Sequence, residues 1–167
     1  MKNIQQLLVA LLMTSCGAAF TSTANAQMSV KRFGSEKSII ASAIWAGDTL
    51  YVSGQLPVAT IPTDPAKGSK PIIEGDTKTQ TISTLNVIQG ILKEQGLGMG
   101  DIVQMRVYLV PDPATGKLDF IGMNDAYKQF FANNEQPNKP VRATIQAGAL
   151  VVANALVEIE VVAVKSK

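Results

Sequence analysis

Arg142, in the run K-P-V-R-A-T-I-Q-A, is the residue of this chain best equipped for binding chemistry. A guanidinium stays charged at any working pH, and its planar fork of N–H donors fits a carboxylate bidentately. Here it stands among Ala, Ile and Gly in an alternating pattern that reads as a β-strand. Such a charge needs an anion nearby. Two candidates lie downstream in L-V-E-I-E-V-V-A-V, where Glu158 and Glu160 alternate with apolar residues in a second strand. If the two strands are neighbours, Arg142 forms a structural ion pair with Glu158 or Glu160. If it does not, it is free to anchor the carboxylate of a ligand. Spacing alone leaves both open.

The missing residue types narrow the chemistry further. The chain has no histidine, and its one cysteine, Cys16, lies in a leader expected to be removed. Ser-His-Asp and Cys-His nucleophilic machinery, haem ligation by histidine and ordinary zinc sites are therefore excluded from the mature form. A carboxylate-only Mg²⁺ or Ca²⁺ site stays open in principle, but no loop rich in aspartate suggests one. Any catalysis falls to Asp, Glu, Lys, Tyr, Arg, Ser or Thr, backbone groups and water.

The leader itself is expected to be a signal peptide over 1–26. Lys2 gives the positive start, an apolar stretch runs from Leu7 to Phe20, and Ala24 and Ala26 stand where a signal peptidase wants small residues. Cleavage before Gln27 would give a soluble, periplasmic protein. An alternative treats M-T-S-C as a lipoprotein box with Cys16 as the lipidated N-terminus. The apolar stretch is too short and too interrupted for a good transmembrane span. Loss of Lys2 leaves 14 basic against 13 acidic residues. That near-neutral balance is no footprint for nucleic acid, and no such partner is expected. The remaining 141 residues suit one domain with a single core.

Several elements must position Arg142. Residues 27–37 read as a loose leader. Ser38 to Trp45 and Thr49 to Leu56 are predicted strands, joined through Gly47-Asp48 as a hairpin, with Gly54 marking a bulge or a close backbone approach. Pro57 to Gly75 is a long loop. Asp76 is the predicted N-cap of a helix reaching about Gln95, with Ile82, Leu85, Ile88 and Leu92 as its buried stripe. Ile102 to Val110 is a strand, and Asp119 to Ala132 a helix with Phe120, Met123, Tyr127 and Phe130 or Phe131 inward. Strands Val141 to Ala149 and Leu156 to Val164 are expected to pair as a closing hairpin. The order β-β-α-β-α-β-β predicts an α+β domain with two helices on one face of a mixed sheet. The other face is left mixed in polarity, which points to subunits closing on one another around it.

Six strings extend this pattern: L-Y-V-S-G-Q-L-P, G-D-T-K-T-Q-T-I-S-T-L-N-V-I, D-I-V-Q-M-R-V-Y-L, D-F-I-G-M-N-D-A-Y-K-Q-F-F, P-V-R-A-T-I-Q and V-E-I-E-V-V-A-V. In that order the chain resembles the RidA (YjgF-type, L-PSP) family of reactive-intermediate deaminases over 38–167. The resemblance implies a chorismate-mutase-like single domain and a homotrimer with clefts between subunits. It also implies hydrolysis of 2-imino and enamine acids to 2-keto acids and ammonia without metal or cofactor. By position it makes Arg142 the carboxylate clamp and places Ser53 and Gly54, Asn124 on the second helix, and Glu158 in the pocket. Thr144 shares the strand parity of Arg142, which fits it either to line the same pocket or to serve as an interface hydroxyl. Glu158 and Asn124 would then orient or deprotonate the attacking water.

Two departures bear on the substrate. Ile40 stands where the family has an aromatic hydroxyl, and Thr144 stands where a cysteine is common. Loss of the hydroxyl favours a more apolar substrate side chain. Two rival functions accompany the deaminase: a non-catalytic trimer that binds small carboxylates or acts as a chaperone, and an endoribonuclease.

Overall fold

The computed structural model describes residues 28–62, 64, 66 and 70–165. The expected cleavage point before Gln27 and the Cys16 box lie outside the described residues. In chain order the elements are β1 (Val30–Phe33), β2 (Ala43–Ala46), β3 (Thr49–Gln55), α1 (Thr77–Glu94), β4 (Ile102–Leu109), α2 (Phe120–Tyr127), β5 (Val141–Gln146) and β6 (Val157–Val164). The strands form one six-stranded sheet in the order β1-β2-β3-β6-β4-β5. All neighbours are antiparallel except β4 and β5, which run parallel. The architecture is the expected α+β arrangement.

β1 corrects the sequence reading, since residues 27–37 contain a strand where a loose leader was expected. V-K-R-F is almost wholly exposed, so no apolar period announces it. Antiparallel pairing with β2 is what orders it. β2 in turn starts later than expected, at Ala43, because the chain is still turning before it. The Ser38 hydroxyl donates to the Ile40 carbonyl at 2.7 Å, and Ser42 N–H donates to the Phe33 carbonyl at 2.8 Å. The β2–β3 hairpin forms at Gly47-Asp48, where Gly47 takes φ +61°, a conformation open to glycine.

α1 begins where its cap dictates. The Asp76 carboxylate accepts from Thr79 N–H at 2.8 Å, satisfying a helix-end donor. Leu85, Ile88 and Leu92 are buried as expected, but Ile82 is only half-buried. The buried stripe instead continues through Thr77, Gln80, Thr81 and Thr84. Two of these threonines enter the core by returning their hydroxyls to the preceding turn: Thr81 donates to the Thr77 carbonyl at 2.6 Å and Thr84 to the Gln80 carbonyl at 3.0 Å. Gln80 braces three backbone groups at once. Its amide donates to the Gly75 and Asn154 carbonyls, and its carbonyl accepts from Leu156 N–H at 2.8 Å.

α2 is shorter than predicted. The regular helix ends at Tyr127, Ala132 takes φ +57°, and the Asn133 side chain donates to the Lys128 and Gln129 carbonyls that the ended helix leaves open. Met123 and Phe131 are fully buried, whereas Phe120 is 46% exposed and so belongs to the surface.

The predicted closing hairpin does not form. β6 has both edges occupied, by β3 on one side and β4 on the other, so β5 is displaced to the sheet edge. The β4–α2–β5 segment is a crossover unit, and a helix between two strands delivers them parallel. One face of the sheet is core: Val157, Ile159, Val161 and Ala163 of β6 pack with Met105, Val107 and Leu109 of β4 beneath α1 and α2. The opposite face carries Glu158, Glu160, Arg106, Tyr108, Tyr51 and Val162, and no element among the described residues covers it.

Candidate functional site

Register decides what Arg142 can reach. Arg142 pairs with Met105 and Thr144 with Val107, both buried, so the two residues share the helix face of the sheet. Glu158 pairs with Tyr108 and Glu160 with Arg106, on the open face. With β4 lying between β5 and β6, the ion pair of Arg142 with Glu158 or Glu160 does not form within a protomer. Glu160 is taken instead by Arg106, at 2.5 Å across the strands. That bond and the attraction of the carboxylate hold the Arg106 pKa above its ordinary value.

The Arg142 side chain runs under α2 and meets three neutral groups. Its Nη2 donates to Asn124 Oδ1 at 2.7 Å, and its Nη1 reaches Met123 Sδ at 3.8 Å. Its guanidinium carbon lies 4.5 Å from the centroid of the Tyr127 ring. Asn124 is itself oriented, because its amide donates to the Phe120 carbonyl one turn back at 3.1 Å. Burial raises the Tyr127 phenol pKa, and the nearby Arg142 charge opposes that shift. Among the described residues no carboxylate pairs with Arg142. A half-buried guanidinium is thus hydrogen-bonded and stacked but not neutralised, a state that favours a bound anion. A hollow of about 250 Å³ is lined by Arg142 with Gln104, Met105, Arg106, Val141 and Ala143.

Ser53, Gly54 and Glu158 form a second group. The β3–β6 register shifts between Val52 and Gln55, so Gly54 does sit in a bulge. It is also a point of close approach. A Cβ on Gly54 would collide with Glu158 Oε1 and lie 2.9 Å from its Cδ. The Glu158 carboxylate is therefore seated against bare backbone, and it has no hydrogen-bond or ion-pair partner among the described residues. Ser53 donates its hydroxyl to the Ala41 carbonyl at 2.6 Å, fixing the strand end. Ser53 also lines a separate hollow of about 240 Å³ on the open face, beside Tyr51, Gln104, Arg106 and Glu160.

The structure thus brings Arg142 and Asn124 together, and Ser53, Gly54 and Glu158 together, on opposite faces of one sheet. The Thr144 hydroxyl is sealed from solvent and has no hydrogen-bond partner among the described residues, so in one protomer it is not presented to a ligand. Ile40 is 64% exposed. Tyr127, read as core from the sequence, is the residue that spacing missed. It stands four places after Met123 on α2, and that offset from Met123 and Asn124 was the available signal.

A family model described as endoribonuclease L-PSP matches residues 35–165. The chain belongs to this family. Within the family, a RutC family protein of Pyrococcus horikoshii is 34% identical over 123 residues, spanning 74% of this chain and 84% of the relative. TdcF of Escherichia coli, named as a candidate reactive intermediate deaminase, is 33% identical over 120 residues, spanning 72% and 81%. The crystal structure of Escherichia coli TdcF with bound serine superposes with a TM-score of 0.60 at 29% identity, covering 77% of this chain and 90% of that one. A YjgF-family protein of Neisseria meningitidis shares the fold at a TM-score of 0.63, with 24% identity over 84% of this chain and 98% of its own. The RidA/YjgF assignment made from the six strings is the family found.

Proposed function

We propose that the chain hydrolyses 2-imino acids and their enamine tautomers to 2-keto acids and ammonia, in sites completed where copies of the chain meet. The observation that carries this reading is the Arg142 guanidinium, held by neutral partners and paired with no carboxylate among the described residues. A 2-imino acid supplies the missing anion and sets its electrophilic C=N carbon beside it. Glu158, seated against Gly54, then takes a proton from water as the oxygen adds to that carbon. Glu158 passes that proton to the imine nitrogen, giving the carbinolamine; its hydroxyl proton then travels by the same carboxylate to the amine, so that ammonia leaves as the keto C=O forms. Asn124 donates to the Phe120 carbonyl and accepts from Arg142, and a neutral amide does not exchange a proton near neutrality, so its part is to hold the clamp.

Arg142 and Glu158 lie on opposite faces of one sheet, so they act on one substrate only if each site draws on two copies. A homotrimer closing over the open face provides this, and Tyr51, Val141 and Ile145, each 44% exposed or more, are the apolar surface it would cover. The proposed mature form begins at Gln27 and is periplasmic; the mass of the exported protein separates this from lipidation at Cys16. The deaminase test uses 2-imino acids formed in situ by an amino-acid oxidase. Wild type accelerates keto-acid release and Arg142→Ala does not; equal rates with and without wild type reject the activity.

A second reading is binding of small carboxylates without catalysis. Support comes from the serine bound in TdcF. It is favoured if Arg142→Ala abolishes ligand binding while wild type leaves the hydrolysis rate unchanged.

A further inference from the structure

We propose that Tyr127 is a positioning residue for the clamp: its ring face holds the Arg142 guanidinium in the plane that a carboxylate needs. This role rests on Arg142 binding a substrate carboxylate, as argued above. An arginine on an edge strand has many rotamers, and a bidentate contact uses few of them, so prior fixation favours binding.

Three contacts supply the fixation, and they differ in kind. Asn124 and Met123 touch Nη2 and Nη1 at the rim of the guanidinium, and these rim contacts set where its edge points. Among the described residues only Tyr127 meets its face, with the guanidinium carbon 4.5 Å from the ring centroid, and a face contact sets the tilt of the plane. The ring is itself held. It stacks on Phe131 with centroids 4.7 Å apart and planes 20° from parallel, and Phe131 is fully buried. A column therefore runs from the core through Phe131 and Tyr127 to Arg142. Each member is neutral apart from the arginine, so the column orients the charge without cancelling it. An acidic side chain in the place of Tyr127 would pair with the rim, neutralise the charge and weaken its affinity for an anion.

The test must separate the ring's electrostatics from simple core packing. Binding of 2-oxobutanoate is measured by calorimetry for wild type, Arg142→Ala, Tyr127→Phe, Tyr127→Phe with progressively fluorinated rings, and Tyr127→Leu. Fluorination drains the ring face of negative charge and leaves its shape nearly unchanged, so these variants fold even if Tyr127→Leu does not. Tyr127→Phe is expected to bind within about 2-fold of wild type. Stepwise fluorination should weaken binding by about 3- to 30-fold, the range of a cation–π contact. In turnover the loss should fall on KM more than on kcat.

If Arg142→Ala loses the ligand but the fluorinated rings bind as well as Tyr127→Phe, the positioning role is overturned and the clamp stands. If Arg142→Ala binds like wild type, or wild type does not bind, the clamp itself falls and the role of Tyr127 falls with it.

Discussion

At the scale of single residues, Gly54 and Glu158 depend on each other through contact. The carboxylate occupies the volume that any side chain on residue 54 would need. Gly54→Ala therefore displaces Glu158 while leaving the core untouched, because both residues lie off the helix face. The expected outcome is a fall in kcat of about 10²-fold or more, the scale of losing a positioned acid–base group, with the thermal midpoint nearly unchanged. Equal turnover by Gly54→Ala and wild type would remove Glu158 from the mechanism. The need for glycine at 54 was legible in the sequence as a break in a β-prone run. What presses against it was not, because Glu158 is far along the chain and reaches β3 only through the sheet. The same limit explains Arg142. Its residue type announces a need for an anion, but the neighbours that answer or fail to answer that need are set by strand order.

At the scale of elements, α1 was the most legible part. Asp76 as N-cap and the start at Thr77 follow from local chemistry, since the cap bond to Thr79 spans three residues. Hydrogen bonds from Thr79 to the Asp76 carboxylate are the main reason its pKa is lowered from 3.8, with burial opposing them. The folded-state pKa lies below the unfolded one, so the cap's stabilisation is complete above the unfolded value. It is lost as pH falls through the folded value. Denaturation of wild type and Asp76→Ala should differ by about 1 kcal/mol near neutrality, and the gap should close as pH drops below 3.8. Asp76→Asn keeps an acceptor at the cap and should flatten that pH dependence. A gap unchanged at acid pH would mean the carboxylate charge plays no part.

Gln80 shows what element-level pattern reading misses. It falls on the buried side of α1, where the apolar stripe argument expected none but aliphatic residues. Its three bonds join α1 to the segments at Gly75 and at Asn154 to Leu156. Gln80→Leu keeps the volume and leaves those groups unpaired, so it should lower stability by about 2–4 kcal/mol in chemical denaturation at fixed protein concentration. A loss below about 1 kcal/mol would show that water or relaxation replaces the brace. The mirror case is β1, where exposure on nearly every residue erased the period-2 signal and only pairing with β2 made a strand.

At the scale of the whole molecule, the two halves of the candidate site lie on opposite faces of one sheet, and a mixed oligomer tests whether copies unite them. Arg142→Ala and Glu158→Gln are each expected to be inactive alone. Refolded together in equal amounts as a closed ring, they should regain about a quarter of wild-type activity, because some seams then pair an intact arginine with an intact glutamate. No recovery, with mixed oligomers present by mass, would place both groups in one protomer or exclude one of them from the reaction.

The sequence by itself determined what depends on near neighbours along the chain. It set the cap and apolar register of α1, the hairpin at Gly47-Asp48, the alternation of β4 and β6, and the absence of histidine chemistry. It also carried the family, because the six strings are local patterns in a set order. Tertiary structure alone decided that β6 lies between β3 and β4, that β5 runs parallel to β4 at the edge, and that Arg142 therefore meets Asn124, Met123 and Tyr127 in place of a glutamate. Strand order follows from which edges remain free after helix crossovers and core packing compete across the whole sheet. No spacing between Arg142 and Glu158 encodes that competition.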